Sequence, residues 1–150
     1  MYRLKWLPSL LIGTMIVASG VPTLAQSGKT YRTRLSPVPI DLAMAATVAG
    51  SGSMTATLTG AKLTINGTFE GLKSPATIAQ IHKGQQGVRG PAVFDLKVPN
   101  ATSGTISREI DLTPQQVENL QKGWLYVQLH SDKAPDGNLW GWLLSQESRK

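Results

Sequence analysis

The chain has 150 residues, with no cysteine and two histidines. Without cysteine it has no disulfide, thiolate zinc site, iron–sulfur cluster or cysteine nucleophile, and two histidines are too few for a histidine-rich metal centre. Charged residues make up 16% of the sequence, against about 25% in an average globular protein. This composition excludes a coiled coil and a charged disordered tail. With 15 glycines and 9 prolines, it favours a small all-β domain.

Long apolar runs are also scarce, and the main one lies near the start of the chain. Arg3 and Lys5 precede an apolar stretch whose core, residues 10–17, is too short to span about 30 Å of hydrocarbon. Thr-Leu-Ala at 23–25 then has the small–x–small pattern that signal peptidase accepts. We predict a cleaved signal peptide over 1–25, a secreted or periplasmic protein, and no membrane span after cleavage. The alternative is an uncleaved membrane anchor.

The formal net charge is +6, but the basic residues are scattered along the chain. They form no run that alternates with exposed aromatic residues, as a nucleic-acid-binding surface does. The pattern is typical of solubilising surface charge. We therefore expect no nucleic-acid partner.

Short segments of alternating polar and apolar residues dominate the rest of the sequence. Residues 53–58 and 62–69 alternate on either side of Gly60, which predicts a β-hairpin. The other predicted strands are an edge strand at 31–35 and strands at 78–83, 92–98, 104–112, 124–130 and 139–144.

One segment predicts a helix instead, over residues 114–122. Thr113 is followed by proline at the first helical position and glutamine at the third, which is a capping-box pattern, and Gly123 suits the C-terminal end. About eight strands with one short helix predict an all-β fold. We expect an antiparallel β-sandwich of the Ig-like or Greek-key type, with a barrel as the alternative. Residues 26–36 are the expected flexible lead-in, and 37–146 the domain.

Two similar triplets, Gln-Ile-His at 80–82 and Gln-Leu-His at 128–130, carry the histidines. Gln80 and His82 are two residues apart, as are Gln128 and His130. Residues two apart share one face of a strand. If the two strands are neighbours, the four side chains form one polar patch.

The histidines have two interpretations. Each ring can end a strand and bond to a loop carbonyl or carboxylate, which makes it part of the scaffold. Alternatively, His82 and His130 can hold a divalent metal together with Asp132 or Asp136. We favour the scaffold, since two histidines without a fixed ligand spacing are a weak metal signal.

Trp140 and Trp142 also share a face of one predicted strand. An exposed pair would suit carbohydrate or protein binding, whereas a buried pair would only fill the core. The sequence has no nucleophile elbow of the G-x-S-x-G kind and no phosphate-binding loop before a helix. We therefore assign no catalytic residue and expect no cofactor, a divalent metal being the alternative.

Two ordered blocks resemble the CHRD (chordin-type) domain. The first is Ile-Ala-Gln-Ile-His-Lys-Gly-Gln-Gln-Gly-Val-Arg-Gly-Pro at 78–91, and the second is Gly-Trp-Leu-Tyr-Val-Gln-Leu-His-Ser at 123–131, followed by Pro-Asp-Gly at 135–137. The resemblance implies an exported β-sandwich domain. In chordin-like proteins such domains occur in extracellular antagonists of growth factors, and in bacteria they often stand alone.

The sequence departs from the family pattern at four positions. Gln80 stands where the first histidine of a His-x-His pair is expected, which removes a metal ligand. Gln128, Asn138 and Trp140 replace the usual Asn, Glu and Arg. The resemblance implies a non-catalytic binding or structural module of the cell envelope or extracellular space, whose partner is a protein or a glycan. The alternative is a metal-binding protein, with or without redox activity, that uses the two histidines.

Overall fold

The computed structural model describes residues 28–147, so the predicted signal peptide lies outside the described residues. A single α-helix, α1 (Pro114–Gln121), and a short 3-10 turn at Met44–Ala46 accompany the strands in this part of the chain. None of its helices is both long and apolar enough to cross a membrane. The strands are β1 (Lys29–Pro37), β2 (Ser51–Thr59), β3 (Lys62–Glu70), β4 (Ala76–Lys83), β5 (Ala92–Leu96), β6 (Gly104–Asp111), β7 (Leu125–Ser131), β8 (Ala134–Trp142) and β9 (Leu144–Ser145).

The strands form one sheet in the order β5-β4-β7-β8-β1-β2-β3-β6, with the short β9 also paired to β1. The two ends of this order meet at Lys97 and Ser107, which exchange backbone hydrogen bonds of 3.1 and 3.2 Å. The sheet is therefore nearly closed. The expected all-β, antiparallel fold with one short helix is confirmed, but its shape is barrel-like rather than clearly the predicted sandwich.

Strand β1 is the reason that the two halves of the sheet are continuous. Residues 29–35 pair with β2, whereas Ser36 and Pro37 pair with β8. Tyr31 and Leu35 are buried in the core, and this burial, together with the charge of Glu147, raises the pKa of the Tyr31 phenol. Residues 29–36 thus lie in a strand paired on both sides, where the sequence predicts a flexible lead-in and an edge strand.

The predicted hairpin is strands β2 and β3, joined by a tight turn in which Gly60 has a φ of 63°. Alternate side chains of both strands point into the barrel, as the pattern predicts. The buried residues of the hairpin are Met54, Ala56, Leu58, Leu63, Ile65 and Phe69.

Helix α1 begins as its sequence predicts and ends one residue earlier. The Thr113 hydroxyl accepts from the Gln116 amide, and the Gln116 side chain accepts in turn from the Thr113 amide, which completes the capping box. Leu120 is fully buried in the main core cluster, and the partly buried Val117 packs against this cluster. On the exposed side, a hydrogen bond and the charge of Lys122 lower the pKa of Glu118.

Strand β8 differs most from its prediction. The sequence predicts a strand that begins at 139, but β8 already begins at Ala134 and includes the Pro-Asp-Gly segment at 135–137. Its register with β7 shifts, since Ser131 pairs with Ala134 and Leu129 pairs with Leu139. The extra residues of β8 form a bulge over 135–138, in which Gly137 has a φ of 128°.

We expect Gly137→Ala to destabilise the protein by more than about 1 kcal/mol, because a side chain there is strained and its Cβ would collide with the Gln128 amide. Thermal or urea unfolding measures the loss. Gly87→Ala is the matched control, since Gly87 also has a positive φ but nothing lies within 4 Å of a Cβ there. Equal losses in the two variants would show that the contact with Gln128 is unimportant.

Candidate functional site

Strand β7 is covered on both of its faces. Leu125, Val127 and Leu129 belong to the main core cluster. On the opposite, outer face, Tyr126 and Gln128 are also buried, and His130 is half-buried. An outer face that is this well covered marks the part of the barrel where loops fold over the sheet.

The two predicted triplets lie on neighbouring strands. His82 of β4 is opposite Tyr126, which is opposite Trp142 of β8. The next row contains Gln80, Gln128 and Trp140. We call the group on this face the outer-face cluster. Its members are His82, Tyr126, Gln128, His130, Trp140 and Trp142.

Gln80 is in the same row but is directed elsewhere. Its side-chain amide donates a 2.8 Å hydrogen bond to the Asp95 carboxylate on β5. Gln128 instead donates a 2.9 Å hydrogen bond to the Asp136 carbonyl in the β8 bulge. The two glutamines therefore connect β4 to β5 and β7 to β8.

Each imidazole is held by a backbone carbonyl. Nδ1 of His82 lies 2.9 Å from the Gly90 oxygen, and Nδ1 of His130 lies 2.7 Å from the Pro135 oxygen. A carbonyl only accepts, so Nδ1 carries the hydrogen in both rings. In the neutral ring the other nitrogen, Nε2, then has a free lone pair.

Both Nε2 atoms are buried, and within residues 28–147 neither has a hydrogen-bond partner. A buried polar atom without a partner costs about 1–3 kcal/mol. The centroids of the two rings are 6.4 Å apart, so the two atoms belong to one region of the outer face.

The two aspartates of the metal hypothesis do not complete a site. Among residues 28–147, no three His, Cys, Asp or Glu side chains come together in a group that could hold a metal. Asp132 is exposed in the turn before β8, and Asp136 is exposed in the bulge. Within the described residues, neither aspartate therefore joins the two imidazoles in a metal-binding group, although the imidazoles are close together.

The aromatic members of the cluster pack on one another. The His82 ring stacks on Tyr126 at 5.0 Å, and Trp142 lies 4.8 Å from Tyr126. Trp140 meets Trp142 edge-on at 4.8 Å with 65° between their planes. Both tryptophans are half-buried, so they do not present the coplanar, exposed pair that a flat sugar platform requires.

Residues 84–91, here called the covering loop, close over this packing. The Tyr126 hydroxyl accepts a 3.0 Å hydrogen bond from the Gly90 amide, and the Trp142 indole donates to the Gly84 carbonyl at 3.1 Å. Arg89 lies 5.9 Å from the centre of the Trp140 ring and donates to the Asp136 carbonyl at 3.3 Å. The loop is thus attached to both β7 and the β8 bulge.

Tyr126 and Arg89 are not among the individual binding residues predicted from the sequence, although Arg89 lies in a loop, residues 83–90, that the sequence predicts to be part of a contact surface. Alternation along β7 places Tyr126 on the same face as Gln128, which is a signal that the sequence contains. Arg89 has no such signal, because its position over Trp140 arises only when the covering loop folds back.

The same part of the chain matches a known family. The model of the CHRD domain matches residues 36–143. The chain belongs to the CHRD domain family. The match includes the whole outer-face cluster and the covering loop. Neither the curated proteins nor the solved structures gave a match to this CHRD domain.

We expect Tyr126→Phe to loosen the covering loop, because it removes the hydroxyl that accepts from Gly90. The expected cost in stability is about 1 kcal/mol, with faster hydrogen exchange at the Gly90 amide. Stability is measured by urea unfolding and exchange by NMR. An unchanged exchange rate at Gly90 would show that the hydroxyl does not hold the loop.

Proposed function

We propose that this CHRD domain is exported and that it binds an extracellular or envelope ligand, a protein or a glycan, without catalysing a reaction. The contact surface in this proposal is the covering loop together with the tryptophans of the outer-face cluster. The basic and apolar start of the sequence, with its small–x–small site at 23–25, supports export.

The observation that carries the binding proposal is the pairing of Arg89 with Trp140 at the rim of the cluster. Arg89 is exposed and its guanidinium lies over a half-buried indole. Val88, the residue before Arg89 in the loop, is 55% exposed although it is apolar. Tryptophan, tyrosine and arginine are the residues that most often dominate binding energy at protein surfaces.

The contacts of the histidines support a non-catalytic role. A general base needs a hydrogen bond to the group from which it takes a proton, and a third group that orients it. The hydrogen bonds of both rings go to backbone carbonyls at Gly90 and Pro135. These bonds fix the rings within the fold and connect neither of them to a nucleophile.

Export predicts a shortened chain. When the gene is expressed in its own host, the protein recovered from the periplasm or medium should begin at Gln26, because cleavage follows Ala25. Intact-mass measurement of the recovered protein gives the result directly. A full-length chain that retains Met1 in the cytoplasm would contradict the proposal.

The proposed binding surface predicts that substitution of Arg89 weakens binding to the envelope. The purified protein should sediment with a cell-envelope preparation of its host, and Arg89→Gln should weaken this about fivefold or more, the scale of a residue that contributes about 1 kcal/mol. Arg32→Gln is the matched control: it makes the same charge change at an exposed position on β1 and should leave binding unchanged.

Treatment of the envelope identifies the class of ligand. Protease should abolish sedimentation if the ligand is a protein, and periodate should abolish it if the ligand is a glycan. No sedimentation of the unmodified protein, or equal weakening by Arg89→Gln and Arg32→Gln, would overturn the assignment of this surface.

A further inference from the structure

Two buried nitrogen lone pairs without partners lie close together on the outer face. They belong to Nε2 of His82 and Nε2 of His130. These are the only two histidines in the sequence, and the centroids of their rings are 6.4 Å apart. The scaffold role explains both Nδ1 atoms, which bond to carbonyls, but it leaves both Nε2 atoms unexplained.

The hydrogen bonds prepare each ring to bind a metal. A histidine that ligates a metal through one nitrogen almost always donates from its other nitrogen to a carbonyl, carboxylate or water. Gly90 and Pro135 provide these carbonyls. They hold the hydrogen on Nδ1, so the lone pair of a neutral ring is on Nε2.

The separation of the rings suits a single ion between them. A metal–nitrogen bond to imidazole is about 2.0–2.1 Å long. Two such bonds, plus the distance from each nitrogen to the centre of its own ring, reach the observed 6.4 Å when the two rings approach one ion from nearly opposite sides, as in a square-planar copper(II) site.

We propose that His82 and His130 together form a two-imidazole site for a first-row transition-metal ion. Imidazole nitrogen suits copper, nickel and zinc, and copper(II) binds most tightly in this series. Within the described part of the chain no carboxylate joins the pair in a metal-binding group.

This site is separate from the proposed binding surface in its ligands and in its test. The ligand proposal rests on Arg89 and Trp140, whereas the metal proposal rests on the two Nε2 atoms. Envelope sedimentation in the presence of a chelator tests the ligand proposal without any bound metal. Failure of one proposal is therefore distinguishable from failure of the other.

The test is titration of the full chain, purified without a histidine tag, with copper(II) alone and with zinc(II) alone. We expect one ion per chain by calorimetry, with copper tighter than zinc. The copper(II) electron paramagnetic resonance spectrum should show coupling to two imidazole nitrogens. Because the chain has no other histidine and no cysteine, this signature reports on His82 and His130 alone.

Substitutions identify the ligands. His82→Gln and His130→Gln should each weaken copper binding more than about tenfold, because loss of an outer-shell partner alone costs 10–100-fold in other sites. Asp132→Asn and Asp136→Asn are the matched controls and should leave the affinity unchanged. Circular dichroism checks that each variant is folded.

If the histidine variants do not fold, NMR of the unmodified protein replaces them. Zinc(II) should then shift the Nε2 resonances of both rings with the same concentration dependence. Three results would overturn the proposal: no binding of either ion, two ions per chain with one lost in each single variant, or copper affinity unchanged in the double histidine variant.

Discussion

The burial of β7 on both faces is the constraint from which the rest of this structure follows. Its inward side chains fill the barrel, so the outward ones must be covered by something other than the sheet. The covering loop and the β8 bulge provide that cover, and each also provides a carbonyl that holds one imidazole. The same arrangement thus closes the outer face and orients both histidines.

Asn138 and Trp140 stand where the resemblance to the family implies glutamate and arginine, and both are compatible with that arrangement. Asn138 is fully buried, and its amide group both donates to the Ser131 hydroxyl and accepts from the Ala49 amide. A carboxylate in its ionised form only accepts, so an ionised glutamate could not make the first of these bonds. Trp140 in turn provides the aromatic surface on which Arg89 lies.

Local patterns in the sequence were enough to predict the hairpin, helix α1 and the shared face of each triplet. Each of these depends on residues that are close together in the chain, such as Thr113 with Gln116. The barrel-like closure could not be predicted, because it depends on the distant pair Lys97 and Ser107. The bulge over 135–138 could not be predicted either, because it depends on how β8 pairs with β7. The two unpartnered Nε2 atoms emerge only once both covering segments are in place.

The most direct test of this account is the position of the hydrogen on the two imidazoles. Nitrogen-15 NMR of the histidine rings, at a pH near 8 where a free imidazole is neutral, reports it for each ring. If carbonyls of Gly90 and Pro135 fix the rings, both must show a hydrogen on Nδ1 and a bare Nε2. A hydrogen on Nε2, or rapid exchange between the two tautomers, would contradict the account.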